Sequence, residues 1–207
     1  MPSPAGHLIA GVAIAWAAEC FPPLRPRARA NNSHTGPVPA ITPLVLACGA
    51  LALAPDLDIL LATHRTYTHS IAAVALAALA CGAIAGGRAA PAGATGFTCG
   101  LVVASHIVLD WLGRDSSTPS GIMAFWPVST AHFYSGIDLF ADISRRYWKP
   151  EEFIIENAVS MAREFVILAP AAGLAFWLRR RWTEGKSGVR RCSATSESRV
   201  PNPESRL

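Results

Sequence analysis

Of the six histidines in the chain, four sit beside aspartates or inside apolar runs, where an ionisable group needs a partner. His106-Ile-Val-Leu-Asp110 lies in a helical run, and its i, i+4 spacing puts an imidazole and a carboxylate on one helix face. Such a face can offer one cation a nitrogen and an oxygen. The plainer reading is a structural pair bonded within its own helix. Leu53-Ala54-Pro55-Asp56-Leu57-Asp58 ends an apolar run at a proline, and its two carboxylates would point the same way in extended chain. Acids opposing a helix dipole are the alternative there. His64-Arg65-Thr66-Tyr67-Thr68-His69-Ser70 then supplies two imidazoles five residues apart. Thr68 is the expected N-cap, with His69 opening the next helix and Arg65 able to steady a carboxylate or an anionic substrate. A solvated interfacial loop is the competing reading of that segment. His7 stands in the first apolar stretch.

Neutral imidazoles mixed with carboxylates suit Zn²⁺, with Mn²⁺ or Fe next. His7, Asp56, Asp58, His64, His69, His106 and Asp110 are more candidate ligands than one tetrahedral ion takes, so one or two ions are expected. The chemistry such a centre performs is hydrolysis of a phosphoester or other ester by metal-activated water, the substrate being a small molecule or a lipid. Asp58 is the candidate general base and Arg65 the candidate substrate-steadying cation.

The elements that must position these groups read as membrane helices. Half of the 207 residues are apolar (51%) and only 15% charged, too few charges for the surface of an ordinary soluble domain. Five apolar stretches run from Gly6 to Phe21, Val38 to Leu53, Ile71 to Gly87, Gly96 to Leu112 and Ala158 to Leu178. Several are shorter than the ~20 residues of a typical span, but Ala and Gly dominate them and no watery face is patterned. Ala15-Trp16-Ala17 has the form of a signal cleavage site, yet no basic segment precedes it and His7 argues that the stretch is kept. The expected fold is therefore all-α, a polytopic bundle of about five apolar helices over residues 1–182. A basic, Ser/Pro-rich, disordered tail is expected over 183–207.

If all five stretches cross, Arg25, Arg27, Arg29, Arg88 and Arg179-Arg180-Arg181 share one side, which the positive-inside rule makes cytoplasmic. The N-terminus, residues 55–70 and the connection 113–157 then face outward, although Arg145, Arg146 and Lys149 run against that scheme. Gly82/Gly86 and Gly96/Gly100 flank the Arg88 turn and predict a tight hairpin of the third and fourth helices. Measured along that hairpin, His69 stands ~25 Å above Gly86, and His106 and Asp110 ~15 and ~21 Å above Gly96, so the three reach one level.

Other classes fit less well. The basic residues do not interleave with aromatics, which argues against nucleic acid. The five cysteines form no Cys-x-x-Cys pair and read as small apolar residues. His34, in a polar loop, reads as a bystander; His132, Asp138 and Asp142 follow Trp126-Pro127 on the expected site side, the Asp pair reading as surface partners of Arg145 and Arg146, and Glu156, Arg163 and Glu164 could pair with one another. The same ionisable cluster would also serve a transporter or a proton or metal carrier, or would merely satisfy itself in a membrane scaffold.

The order His7, Pro55-Asp56-Leu57-Asp58, His64-Arg65-x-x-Thr68-His69-Ser70, His106-x-x-x-Asp110 and Trp126-Pro127 resembles the YdjM family of inner-membrane-associated, metal-dependent hydrolases. The likeness covers residues 7–148. It implies a multi-pass protein of the bacterial inner membrane with metal-dependent hydrolase activity, and it supplies no substrate. Arg65-Thr66-Tyr67 stands where the family commonly has Arg-Gly-Phe/His, and the Pro/Asn-rich loop from Phe21 to Pro39 looks like an insertion. Both departures bear on substrate access more than on metal binding.

Overall fold

Proline opens three of the five α-helices, where its missing N–H is no loss: α1 (Pro4–Ala18), α2 (Pro43–Leu53) and α5 (Pro150–Glu197). Ser3 and Thr42 cap the first two by accepting from the Gly6 and Val45 amides. α3 (Ile71–Gly87) and α4 (Ala92–Leu112) complete the set, and two 3₁₀ segments, Pro55–Leu61 and Tyr67–His69, lie between α2 and α3. The computed structural model describes residues 2–24, 39–61, 64–88, 90–116, 118–144 and 146–197, with side chains through Thr183. Arg25, Arg27, Arg29, His34, Arg145 and residues 198–207 lie outside the described residues.

Three local expectations are corrected. Asp56 and Asp58 sit in a 3₁₀ segment rather than extended chain, so they diverge instead of pointing the same way. The cap of α3 is Ser70, which accepts from the Ala73 amide; the Thr68 hydroxyl is instead spent on Asp58, at 2.6 Å. α5 begins at Pro150, earlier than hydropathy suggests, because Glu151 and Glu152 in its first turn suit a helix N-terminus while masking its apolar character.

α1 packs on α2, α4 and α5, and α3 packs on α4. The α3–α4 contact is backbone against backbone. A Cβ on Gly96 would stand 2.5 Å from the Ala78 carbonyl oxygen, and one on Gly82 would stand 3.2 Å from that of Ala92. At Gly96 only glycine allows that approach, and at Gly82 a methyl would push the helices apart by a few tenths of an ångström. Ala15, Val45, Cys48, Ala52 and Val102 form an apolar core between α1, α2 and α4.

α5 is attached to α1 at both ends by buried polar clamps. Near the start of α1, the Ser3 amide (2.6 Å) and the Ser3 hydroxyl donate to the Glu164 carboxylate. At its end, Arg179 pairs with Glu19, which also accepts from the Thr42 hydroxyl, and Arg179 donates to the Pro39 carbonyl at 2.7 Å. The order Ser3–Glu164 then Glu19–Arg179 makes the two helices run parallel. Glu164 is thus committed to α1, and Arg163 donates to the Asp138 carbonyl, so the expected pairing among Glu156, Arg163 and Glu164 does not form.

The face of α5 turned inward carries Ser160, Glu164, Ala175 and Arg179, while Phe165, Val166, Leu174 and Trp177 point outward. Small and polar groups inside with large apolar groups outside reverse the arrangement of a water-soluble core. The segments Ala92–Leu112 and Pro150–Thr183 are long and apolar enough to cross a membrane; α1, α2 and α3 are shorter apolar helices.

Close packing at Gly96 makes a specific prediction. Gly96→Val should cost about 1–3 kcal/mol of stability in detergent thermal unfolding. Gly87→Ala, with nothing within 4 Å of the added methyl, should be neutral or slightly stabilising.

Candidate metal centre

The end of the bundle where α1 begins, α2 ends, α3 begins and α4 ends gathers all seven predicted residues. α4 supplies His106 and Asp110 from one face, α1 supplies His7, and the two 3₁₀ segments with the turn between them supply Asp56, Asp58, His64 and His69. His7, His69, His106, Asp58 and Asp110 are buried.

Hydrogen-bond chemistry fixes the tautomers of the two central imidazoles. His106 Nδ1 lies 2.7 Å from the Ala52 carbonyl oxygen, which can only accept, so Nδ1 carries the proton and Nε2 a lone pair. His69 Nδ1 lies 3.3 Å from an Asp58 oxygen and 3.0 Å from the Thr68 hydroxyl, whose own proton goes to Asp58. Its proton therefore also sits on Nδ1. The two Nε2 atoms then face each other at 3.1 Å. Two lone pairs at that distance repel unless a proton or a cation lies between them.

Carboxylates surround the same point. An Asp110 oxygen lies 3.1 Å from His69 Nε2 and 3.4 Å from His106 Nε2. An Asp56 oxygen lies 3.7 and 3.5 Å from the same two atoms. One ligand atom from each of Asp56, His69, His106 and Asp110 falls within 4.8 Å of the others. His7 stacks on His106 with ring centroids 3.7 Å apart, and its Nε2 is 3.3 Å from the second Asp110 oxygen.

Both nitrogens of His7 and both oxygens of Asp110 are buried without a properly directed hydrogen bond. Orphaned groups of this kind cost about 1–3 kcal/mol each, more when charged. Two nitrogen and two carboxylate donors of intermediate hardness fit Zn²⁺, Mn²⁺ or Fe²⁺. The residues present thus fit a divalent cation.

Asp58 occupies a different place. One oxygen meets His64 Nδ1 at 2.7 Å; the other meets the Arg65 amide at 3.1 Å, the Thr68 hydroxyl and His69 Nδ1. Asp58, His64 and His69 form a second group close enough to share an ion. Burial opposes the charge on Asp58, but hydrogen bonds from His69, Thr68 and His64 outweigh it and lower its pKa to about 2. Burial likewise opposes a charge on His69; contacts with Asp110, Asp56 and Asp58 overcome it and raise its pKa to about 11.

Arg65 has a left-handed backbone (φ 68°), which turns its amide toward Asp58 while its guanidinium pairs with Asp115. Sequence reasoning missed Asp115, which carries no motif, and the Ala52 carbonyl, which no sequence pattern marks. Beyond His64 and Arg65 opens a cavity of about 1200 Å³, walled by the 113–146 connection and the first turns of α5.

Outward-facing apolar helices around a buried His/Asp cluster define an all-helical protein with two segments able to cross a membrane and, at one end of its bundle, a group of side chains that could hold a cation. Residues 1–183 match the family model described as YdjM inner membrane protein, and the chain belongs to that family. No curated protein and no solved structure matches it.

In the metal-free protein the proton on His69 stabilises the fold fully below pH 6.5, its ordinary value, and that contribution is lost as pH rises through about 11. Binding a cation at Nε2 must expel this proton. Titration of Zn²⁺ into stripped protein at pH 7 in weak buffer should release about one proton per ion, with affinity falling as pH falls. Zinc uptake without proton release would contradict the shared-proton arrangement.

Proposed function

We propose that the chain is a multi-pass inner-membrane hydrolase acting on a phosphoester or other ester at the His/Asp centre. The observation that carries this reading is the pair of facing Nε2 atoms beside two carboxylates, next to a cavity large enough for a substrate. Asp56, His69, His106 and Asp110 would hold the cation, Zn²⁺ by first choice, with His7 backing Asp110. When bound, that cation supplies Lewis acidity toward water and toward the ester oxygen.

The remaining residues orient and move protons. Asp58 has its lone pairs engaged by four neighbours, so it serves as an orienting carboxylate for both His64 and His69 rather than as the base first assigned to it. With Nδ1 of His64 held by Asp58, its Nε2 is left to exchange a proton with a group in the cavity that His64 lines. Arg65, paired with Asp115 on the cavity wall, positions that wall. With the proton on His69 Nδ1 and the Asp58 oxygens engaged by four neighbours, the Asp58, His64 and His69 group orients the first site rather than holding a second ion.

Two features support the topology read from charge. α1 and α5 run parallel, as the four reversals between them require, and the four connections alternate between the bundle's ends. The cytoplasm then receives Arg88 and the C-terminal segment, and the metal centre faces outward. A carrier is less well supported. Between the centre and the Glu19–Arg179 clamp the interior described here is the apolar core of Ala15, Val45, Cys48, Ala52 and Val102, with no ladder of ionisable groups.

Protein purified without chelators should contain about one or more equivalents of a transition metal by elemental analysis, and His106→Ala should reduce it several-fold. Asp58→Asn should weaken metal affinity or activity about 10–100-fold. His64→Gln should keep the bound ion while lowering kcat. Less than half an equivalent in untreated protein would overturn the reading.

A further inference from the structure

We infer that the substrate is a membrane amphiphile of the phospholipid class, with its polar head in the cavity beside His64 and an acyl chain lying along α5. This rests on the hydrolase reading above and names the substrate that reading leaves open.

The cavity has two unlike walls. One, from the 113–146 connection, carries Arg114, His132, Asp142 and Arg146; the other is α5, which adds Glu156 between the aliphatic side chains of Ile155 and Val159. Charges of both signs suit a head that carries a phosphate together with an ammonium or hydroxyl group.

Ile155 and Val159 line the cavity although each is 64% exposed, so they form its rim. The same helix stripe continues through Ala162 to Val166, which is 72% exposed. From Ile155 to Val166 the helix rises ~16 Å, about half the ~30 Å hydrocarbon thickness of a bilayer and so the reach of one acyl chain. Water-facing rims are not built from such a stripe. α5 belongs to the segments apolar enough to lie in lipid, so the rim joins the cavity to the bilayer and not to bulk water.

A soluble substrate would need none of this track. For a lipid, the track leaves the acyl chain in hydrocarbon while the ester bond enters the cavity beside His64. The head then moves only sideways out of the bilayer plane, and the chain need not cross water.

The test uses full-length protein in detergent micelles, examined by native mass spectrometry with phosphatidylethanolamine and, separately, with glycerophosphoethanolamine, the same head without chains. Metal content is measured on the same samples. One lipid should be retained per chain, and the chain-free head should bind at least tenfold more weakly. Ile155→Trp combined with Val159→Trp should abolish retention without changing metal content, while Leu79→Trp, on the outward face of α3, should leave both unchanged. Equal binding of the chain-free head, or retention indifferent to the Ile155/Val159 change, would overturn the inference and leave a metal-loaded hydrolase of soluble esters. Absent metal with lipid retained would instead remove the hydrolase reading.

Discussion

Two imidazole nitrogens held face to face at 3.1 Å set the terms for the rest of this protein. Neither ring is free to turn away. His106 is fixed by the Ala52 carbonyl at the end of α2, and His69 by Asp58 and Thr68 from the 3₁₀ segments. The Ala52 and Asp58 anchors come from different pieces of chain than the rings they hold. The centre therefore exists only when α2, α4 and the connection before α3 are assembled, and folding and ligand geometry are one event.

The bundle is built to bring those pieces together in a thin, apolar surrounding. Glycines at 82, 96 and 100 let α3 lie against α4, which sets His69 at the level of His106 and Asp110. Buried clamps at the two ends of α1 hold α5 parallel to it. Buried ion pairs are weak contributors to stability when compared with apolar packing, but removing one partner leaves the other charge stranded. Such pairs fix register more than they add stability, and here the register decides which turns of α5 stand beside the cavity.

Much of the centre was legible in sequence because its parts obey short-range rules. The His106/Asp110 spacing reads directly as one helix face, and Pro55 marks where α2 must stop. The rise per residue along α3 and α4 places His69 level with His106, as the 3.1 Å contact shows. The division of labour was not legible. Whether Asp58 faces a cation or the back of a histidine depends on the 3₁₀ twist between Asp56 and Asp58, and alternation along an extended chain predicts the wrong geometry. The Ala52 carbonyl and Asp115 have roles set by tertiary proximity alone. The start of α5 was missed because its first turn is acidic, and hydropathy does not register a capping preference.

X-ray absorption at the edge of the metal that copurifies tests the central claim most directly. The arrangement predicts a first shell of mixed nitrogen and oxygen at about 2.0–2.2 Å for zinc. It further predicts outer-shell scattering from at least two imidazoles, reduced when His69 or His106 is changed to Ala. A shell of oxygen alone, or one unaltered by either substitution, would contradict it.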